Sequence, residues 1–292
     1  MWDLSGNQLA KFQGENASFS PDSQRVLTSS IFDEKLSYLW ELSGERLAQL
    51  KGDNPRFSPN SQRIITSIND TSQDSRISVT YLWNALGRQL AELPGGDTPE
   101  FSPDGQRLVT VEYSDSHRSH TTRIWDLSGK QLAQLRGGSP EFSPDGQRIA
   151  TVSRNPDNYS EITYLSDLSG NGIAQFKGGK PIFRANGKNL ATRAGDGDRS
   201  VSYLWSTQGE QLAEFQGQVD SFTPDDRQLV TLTTKHIRFW ALEPNESRRT
   251  IRGSFGRFSP NGQMVLLKTN SYPSETLSLF SLSGITIVRT VF

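Results

Sequence analysis

Three features of the sequence predict its fold class. Two phrases recur at fixed phase along all 292 residues, apolar residues alternate with polar ones over short runs, and no stretch of ten or more residues carries an apolar face of 3.6-residue period. Together they predict an all-β fold, a seven-bladed β-propeller of four-stranded antiparallel blades, forming a single domain over residues 1–292. The first phrase is best written from Trp125 to Leu135, Trp-Asp-Leu-Ser-Gly-Lys-Gln-Leu-Ala-Gln-Leu. It recurs from Trp2, Trp40, Trp83 and Trp205, in diverged form from Trp240, and with Ser166 and Phe280 in the Trp place. These anchors are 35 to 43 residues apart, the length of one blade. Each interval holds the second phrase, Phe142-Ser143-Pro144-Asp145-Gly146-Gln147-Arg148, which recurs from Phe19, Phe57, Phe101, Phe183, Phe222 and Phe258. The period leaves no room for a linker.

Each element of one period follows from its residues. Phe142-Ser143 ends an inner strand a. Pro144 fixes φ near −65° and Gly146 admits positive φ, so Ser143–Gly146 reads as a tight turn. Strand b is Arg148 to Val152 and strand c is Ile162 to Leu165. The Leu-Ser-Gly turn, as in Leu127-Ser128-Gly129, leads to an outer strand d such as Gln131 to Leu135. Alternating strand direction puts the a–b and c–d turns on one face and the b–c loops on the other. One d-type segment is surplus, because Gln8 to Phe12 precedes the first set and Ile285 to Val291 follows the last. The lower loop-closure cost favours Ile285 to Val291 as the partner of the last blade. Met1 to Phe12 then suggests the C-terminal repeat array of a longer multidomain protein.

Composition removes several function classes. With 31 Lys+Arg against 32 Asp+Glu the net charge is −1, whereas phosphate recognition needs a basic excess or face. No run approaches 18 apolar residues, so no membrane helix is expected. The N-terminus lacks the charged and apolar regions of a secretory signal, and the absence of Cys removes disulfides and thiolate metal sites. A cytoplasmic location is the expectation.

The Trp-Asp strand ending and the Phe-Ser-Pro-Asp-Gly turn together resemble WD-repeat proteins, especially of the bacterial type, over the full length. The resemblance implies a non-catalytic interaction scaffold whose partner is a protein or peptide. Members often carry Gly-His before the innermost strand. Here the dipeptides are Gly14-Glu15, Gly52-Asp53, Gly95-Gly96, Gly137-Gly138, Gly178-Gly179, Gly217-Gln218 and Gly253-Ser254, so the family's His-centred hydrogen-bond network has no counterpart. The longer loops and the Ser-Pro-Asp-Gly emphasis also resemble TolB-type propellers, which implies a periplasmic interaction module as an alternative.

Binding residues on a rigid scaffold concentrate in its variable loops. The b–c loops supply Asp74, Arg76, Tyr113, Arg118, Tyr159, Asp196 and Asp198 as candidate partner-binding residues. A second set, Arg56, Glu100, Glu141 and Arg257, immediately precedes the repeated Phe and places charges near the expected channel mouth. Glu100 and Glu141 are also the carboxylate pair that an alternative hydrolase or lyase would need. No Gly-x-Ser-x-Gly motif occurs, and abundant Ser and Asp alone do not make a catalytic triad. His117 and His120, with Asp115 nearby, fall in a polar loop without a third preorganised ligand, and Gly195-Asp196-Gly197-Asp198 lacks the further oxygens of a calcium loop. No cofactor, metal, nucleic acid or membrane is therefore expected, and the chain is taken as a monomer or part of a larger protein.

Overall fold

The repeated Ser acts first as a turn-builder. In the Ser143–Gly146 turn its hydroxyl donates to Asp145 Oδ1 (2.5 Å) and accepts the Arg148 N–H (3.0 Å), while Gly146 N–H donates to Ser143 O (2.8 Å) at φ +65°. The same arrangement recurs at Ser20, Ser58, Ser102 and Thr223. Reversing the chain there starts the next strand in fixed register, Phe142 opposite Ile149 and Phe101 opposite Leu108.

The computed structural model of the chain describes residues 1–30, 35–72, 75–96, 99–114, 119–242, 249–252, 254–259, 264–271, 274–281 and 287–290. Among these residues the sole helical element is a 3-10 turn, Gly197–Arg199. The chain divides into two compact units, Met1–Ser153 with Ser166–Gly172, and Arg154–Leu165 with Ile173–Phe292.

In the first unit, antiparallel sheets of four strands follow chain order: Glu15–Phe19, Arg25–Ser29, Leu36–Glu41 and Arg46–Lys51, then Asp53–Phe57, Arg63–Ser72, Ser75–Asn84 and Gln89–Pro94. A third comprises Glu100–Phe101, Arg107–Ser114, Ser119–Asp126 and Gln131–Arg136, and Gly138–Phe142 pairs with Arg148–Arg154 after it. In the second unit the same order runs through Gly179–Phe183, Asn189–Ala194, Val201–Ser206 and Gln211–Gln216, and through Gln218–Phe222, Gln228–Leu232, His236–Ala241 and Arg249–Arg252. Its last sheet is Ser254–Phe258, Met264–Ser271, Ser274–Ser281 and Ile287–Thr290. Here Ile287–Thr290 pairs with Ser274–Ser281, the local c–d hairpin.

Apolar residues fill thin layers between consecutive sheets. Phe101 of one sheet packs with Ile65, Leu82 and Leu93 of the sheet before it, and Phe142 with Val109, Ile124 and Leu135. In the second unit Ala191, Leu204 and Phe215 pack against Val219 and Leu229 of the next sheet. Fully burying one such side chain contributes about 1.5–3 kcal/mol.

The Gly and Ala of the first phrase meet across this layer. A Cβ on Gly129 would lie 2.5 Å from the Cβ of Ala91, one repeat earlier, and on Gly87 it would lie 2.2 Å from that of Ala48. At these two positions only a residue without a side chain lets the c–d turn rest on the previous strand d. Gly137, at φ +100°, performs the other close approach, since a Cβ there would sit 2.5 Å from the Val152 carbonyl oxygen.

Hydroxyls join the repeated Trp to the preceding strand d. Trp125 Nε1 donates to Thr110 Oγ1 (3.0 Å), which donates to the Pro94 carbonyl (2.7 Å) at the exit of the preceding strand d. The relay recurs from Trp40 through Thr28 to Gln13 O, from Trp83 through Thr66 to Lys51 O, from Trp205 through Thr192 to Lys177 O, and from Trp240 through Thr231 to Gln216 O. Trp40, Trp83, Trp125 and Trp205 are buried, as expected of packing residues rather than recognition residues. A second hydroxyl in strand c, such as Thr122, donates to the Gly137 carbonyl (2.8 Å). The strand d exits at Lys51, Pro94, Arg136, Lys177 and Gln216 are thus each tied at two consecutive carbonyls.

Candidate functional site

The sheet register separates the candidate residues into two groups. Glu100 faces Val109 at the a–b end of strand Arg107–Ser114, whereas Tyr113, at the other end, faces His120. Four residues at about 3.3 Å each put roughly 13 Å between Val109 and Tyr113. The charged inner-strand residues and the b–c loop residues therefore lie at opposite ends of one sheet.

At the inner-strand end of the first unit, Arg56, Glu100 and Glu141 occupy the same place in consecutive repeats, and all three reach solvent. Protein around them nevertheless strips hydration from a carboxylate. Burial raises the Glu100 carboxyl above its ordinary range, with the Arg56 charge pulling the other way. Burial, reinforced by the negative charge of Glu100, pushes Glu141 up to about 7. Near pH 7 the Glu141 carboxyl is therefore partly protonated, so it can donate as well as accept a hydrogen bond. Arg257, in the second unit, is exposed and pairs with Leu266 at the corresponding position.

At the loop end, Tyr113 is 40% exposed and its ring lies 5.1 Å from that of His120, a partner that the loop sequence alone did not single out. The strand alternation that sets Tyr113 opposite His120 was the available signal. Tyr159 is 76% exposed and sits at φ +57°, in the left-handed region that bulky residues rarely adopt. Its conformation is over-determined by neighbours. Tyr159 N–H donates to Asn155 O (2.9 Å), Asn155 N–H to Ser160 O (2.8 Å), and Ser160 N–H to Asn158 Oδ1 (3.0 Å).

Asp198 is engaged by the next loop of its unit. It accepts from Thr234 N–H (2.9 Å) and Oγ1 (2.8 Å), and these bonds hold its carboxyl below the ordinary value. Asp196 is exposed and precedes the 3-10 turn without a side-chain cap bond. Arg76 lies in strand Ser75–Asn84, its backbone paired with Thr71, while Asp74 and Arg118 fall outside the described residues. Among the described residues no group of three or more His, Asp or Glu could hold a metal ion, and no helix is long and apolar enough to cross a membrane.

No family model matches the chain, and no curated protein matches it. Solved structures do. The chain is similar to the crystal structure of the eukaryotic initiation factor, at 12% identity and TM-score 0.72, covering 98% of this chain and 81% of that one. It is also similar to the β-propeller domain of the Trilobed protease from Pyrococcus furiosus, which has an open velcro topology, at 13% identity and TM-score 0.51 over 82% and 84% of the two chains. The fold is that of a β-propeller. TolB from Acinetobacter baumannii is a looser likeness, at 17% identity and TM-score 0.42 over 89% and 78%. Identities this low carry the fold and no activity.

Proposed function

We propose that this propeller has seven blades of the WD-repeat type and works as a non-catalytic scaffold, binding a protein or peptide on the face that carries the b–c loops. Seven anchor intervals, each with both phrases, support the blade count. One observation carries the binding reading: the exposed ring of Tyr159 is held at φ +57° by hydrogen bonds within its own loop. A left-handed conformation costs a non-glycine residue about 1–2 kcal/mol, and such strain concentrates at functional positions. Glycine would suit this backbone better, so an aromatic that is both strained and open to solvent favours a recognition role.

The test is capture of partners from cell extract with wild type, Tyr159→Gly and a Glu100→Gln, Glu141→Gln double variant. Tyr159→Gly is expected to be at least as stable as wild type and to lose the partner, while the double variant retains it. The reverse pattern would overturn the loop-face reading. A second reading, a hydrolase or lyase at the inner-strand end, is favoured by Glu141, whose carboxyl near 7 beside Glu100 suits acid–base work. It requires turnover of a glycoside or similar substrate that disappears in the double variant.

A further inference from the structure

Strand d ends its sheet, so its outer edge carries backbone N–H and C=O groups that no strand of the same sheet pairs. The repeat also leaves a large apolar side chain exposed there, at Leu90, Leu132, Ile173 and Leu212. The copies differ in what flanks it. Two residues before and after this position stand Glu45 and Gln49 in the first copy, Arg88 and Glu92 in the second, Lys130 and Gln134 in the third, Asn171 and Gln175 in the fourth, and Glu210 and Glu214 in the fifth. Of these five, the copy with strand Gln89–Pro94 is the one with opposite charges in the two places, and Arg88 and Glu92 are both exposed. Lys51 attracts Glu92 within the chain, whereas among the described residues no carboxylate lies within ion-pairing distance of Arg88.

This spacing makes the edge complementary to itself. Two copies meeting antiparallel about a twofold axis at Leu90 set Leu90 against Leu90. Arg88 of each chain then meets Glu92 of the other, both about 7 Å from the axis at about 3.3 Å per residue. Four residues out, Leu86 of one chain approaches Pro94 of the other. Leu86 is 68% exposed and stands where the sister turns carry Ser43, Ser128 and Ser169, and Pro94 is exposed where other strands d end in Lys51, Arg136 and Lys177. The same axis at Leu212 would oppose Glu210 and Glu214, which repel. An extra residue opposite Trp83 interrupts the outer row of backbone groups near Leu90, so side chains rather than a continuous ladder set the register. Exposed ion pairs add little attraction; they select this register and exclude the sister strands, while Leu86, Leu90 and Pro94 supply apolar area.

We propose that strand Gln89–Pro94 is the contact edge of a homodimer, in which two copies of this chain meet antiparallel about a twofold axis at Leu90. The contact is isologous, one patch serving both sides, so it closes at two copies. Leu86, Arg88, Leu90, Glu92 and Pro94 all belong to the first unit, and closing a ring of blades leaves the outer edge of a strand d untouched.

Sedimentation of wild type over about a hundredfold range of concentration tests this, because self-association shifts with mass action. The mass is expected to move from the 32.5 kDa of one chain towards twice that value. Arg88→Glu and Glu92→Arg, each checked for native circular dichroism, are expected to stay single chains when alone, since like charges then face each other across the axis. Mixed in equal amounts they are expected to form a complex of two chains, because every facing pair is again opposite in sign. If either reversal misfolds, the chain carrying both replaces the mixture and is expected to dimerise as wild type does. Lys130→Glu, beside the exposed Leu132, is expected to leave dimerisation unchanged. A wild type that remains a single chain at every concentration overturns the proposal. So do single reversals that dimerise alone, a mixture that yields only single chains, or a loss in Lys130→Glu equal to that in Arg88→Glu.

Discussion

Replacing Thr110 by Val isolates the hydroxyl relay, because the two side chains have nearly the same shape. Thr110 is fully buried and its Oγ1 serves two partners, accepting from Trp125 Nε1 and donating to the Pro94 carbonyl. The variant leaves a buried donor and a buried acceptor unpaired. At about 1–3 kcal/mol per orphaned group, less a small gain from the added methyl, the expected loss is about 2–4 kcal/mol. Unfolding entropy of about 2.1 cal/mol/K per residue gives about 0.6 kcal/mol/K for a chain of this length, so Tm should fall by about 3–7 °C. The repeat in which Ser166 stands in the Trp place provides an internal control. Thr151 there donates to the Arg136 carbonyl (2.7 Å) and has no indole to satisfy, so Thr151→Val should cost about half as much. Thermal melts followed by circular dichroism and by Trp fluorescence read both. Equal losses in the two variants, or a fall under about 1 °C for Thr110→Val, would refute the idea that the indole–hydroxyl–carbonyl chain locks consecutive repeats.

Gly129→Ala should lower Tm more than Gly209→Ala, because a Cβ at 129 lands 2.5 Å from Ala91 whereas at 209 it meets Ala174 at an ordinary 3.6 Å; both sites have positive φ, so the difference reports the clash alone. Arg184→Ala removes a partly buried clamp, Nε and Nη2 on the Asp226 carbonyl (3.1 and 2.6 Å) and Nε on its carboxylate (3.0 Å), and should cost about 1–3 kcal/mol in urea melts. For Glu141, the folded-state value near 7 lies above the ordinary 4.5, so the native state keeps a proton that the unfolded chain releases. Stability attributable to this residue is present below 4.5 and is lost as pH rises towards 7, so Glu141→Gln should gain Tm over wild type between pH 5 and pH 8. Solvent access to the carboxylate keeps that gain below about 1 kcal/mol, and a Tm difference independent of pH would contradict the raised value.

The repeat made the strands legible before any coordinates. Phe142-Ser143 ends strand a, and Trp125 pairs with Leu108 and Gln131 as the c strand between b and d. Neighbouring copies of one position also foretold that Glu100 and Glu141 would feel each other. Contacts between repeats were not legible, since periodicity shows that Gly129 and Ala91 recur but not that one rests on the other. The same limit hid the tie from Asp198 to Thr234, two loop residues with no shared phase in the repeat. Tyr159 stood out as an exposed aromatic, but its positive φ arises from hydrogen bonds around Asn155 and Asn158 that composition does not specify.

The seat of the turn glycine on the alanine of the previous copy, at Gly87, Gly129 and Gly170, makes these repeats interchangeable parts. Each of these joints presents the same small hollow on one side and the same small bump on the other, so recombination between such copies exchanges their loops without altering the joints. A lineage carrying this array could therefore rewrite its b–c loops wholesale, or gain and lose whole units of about forty residues, while the packing that each joint requires is inherited intact.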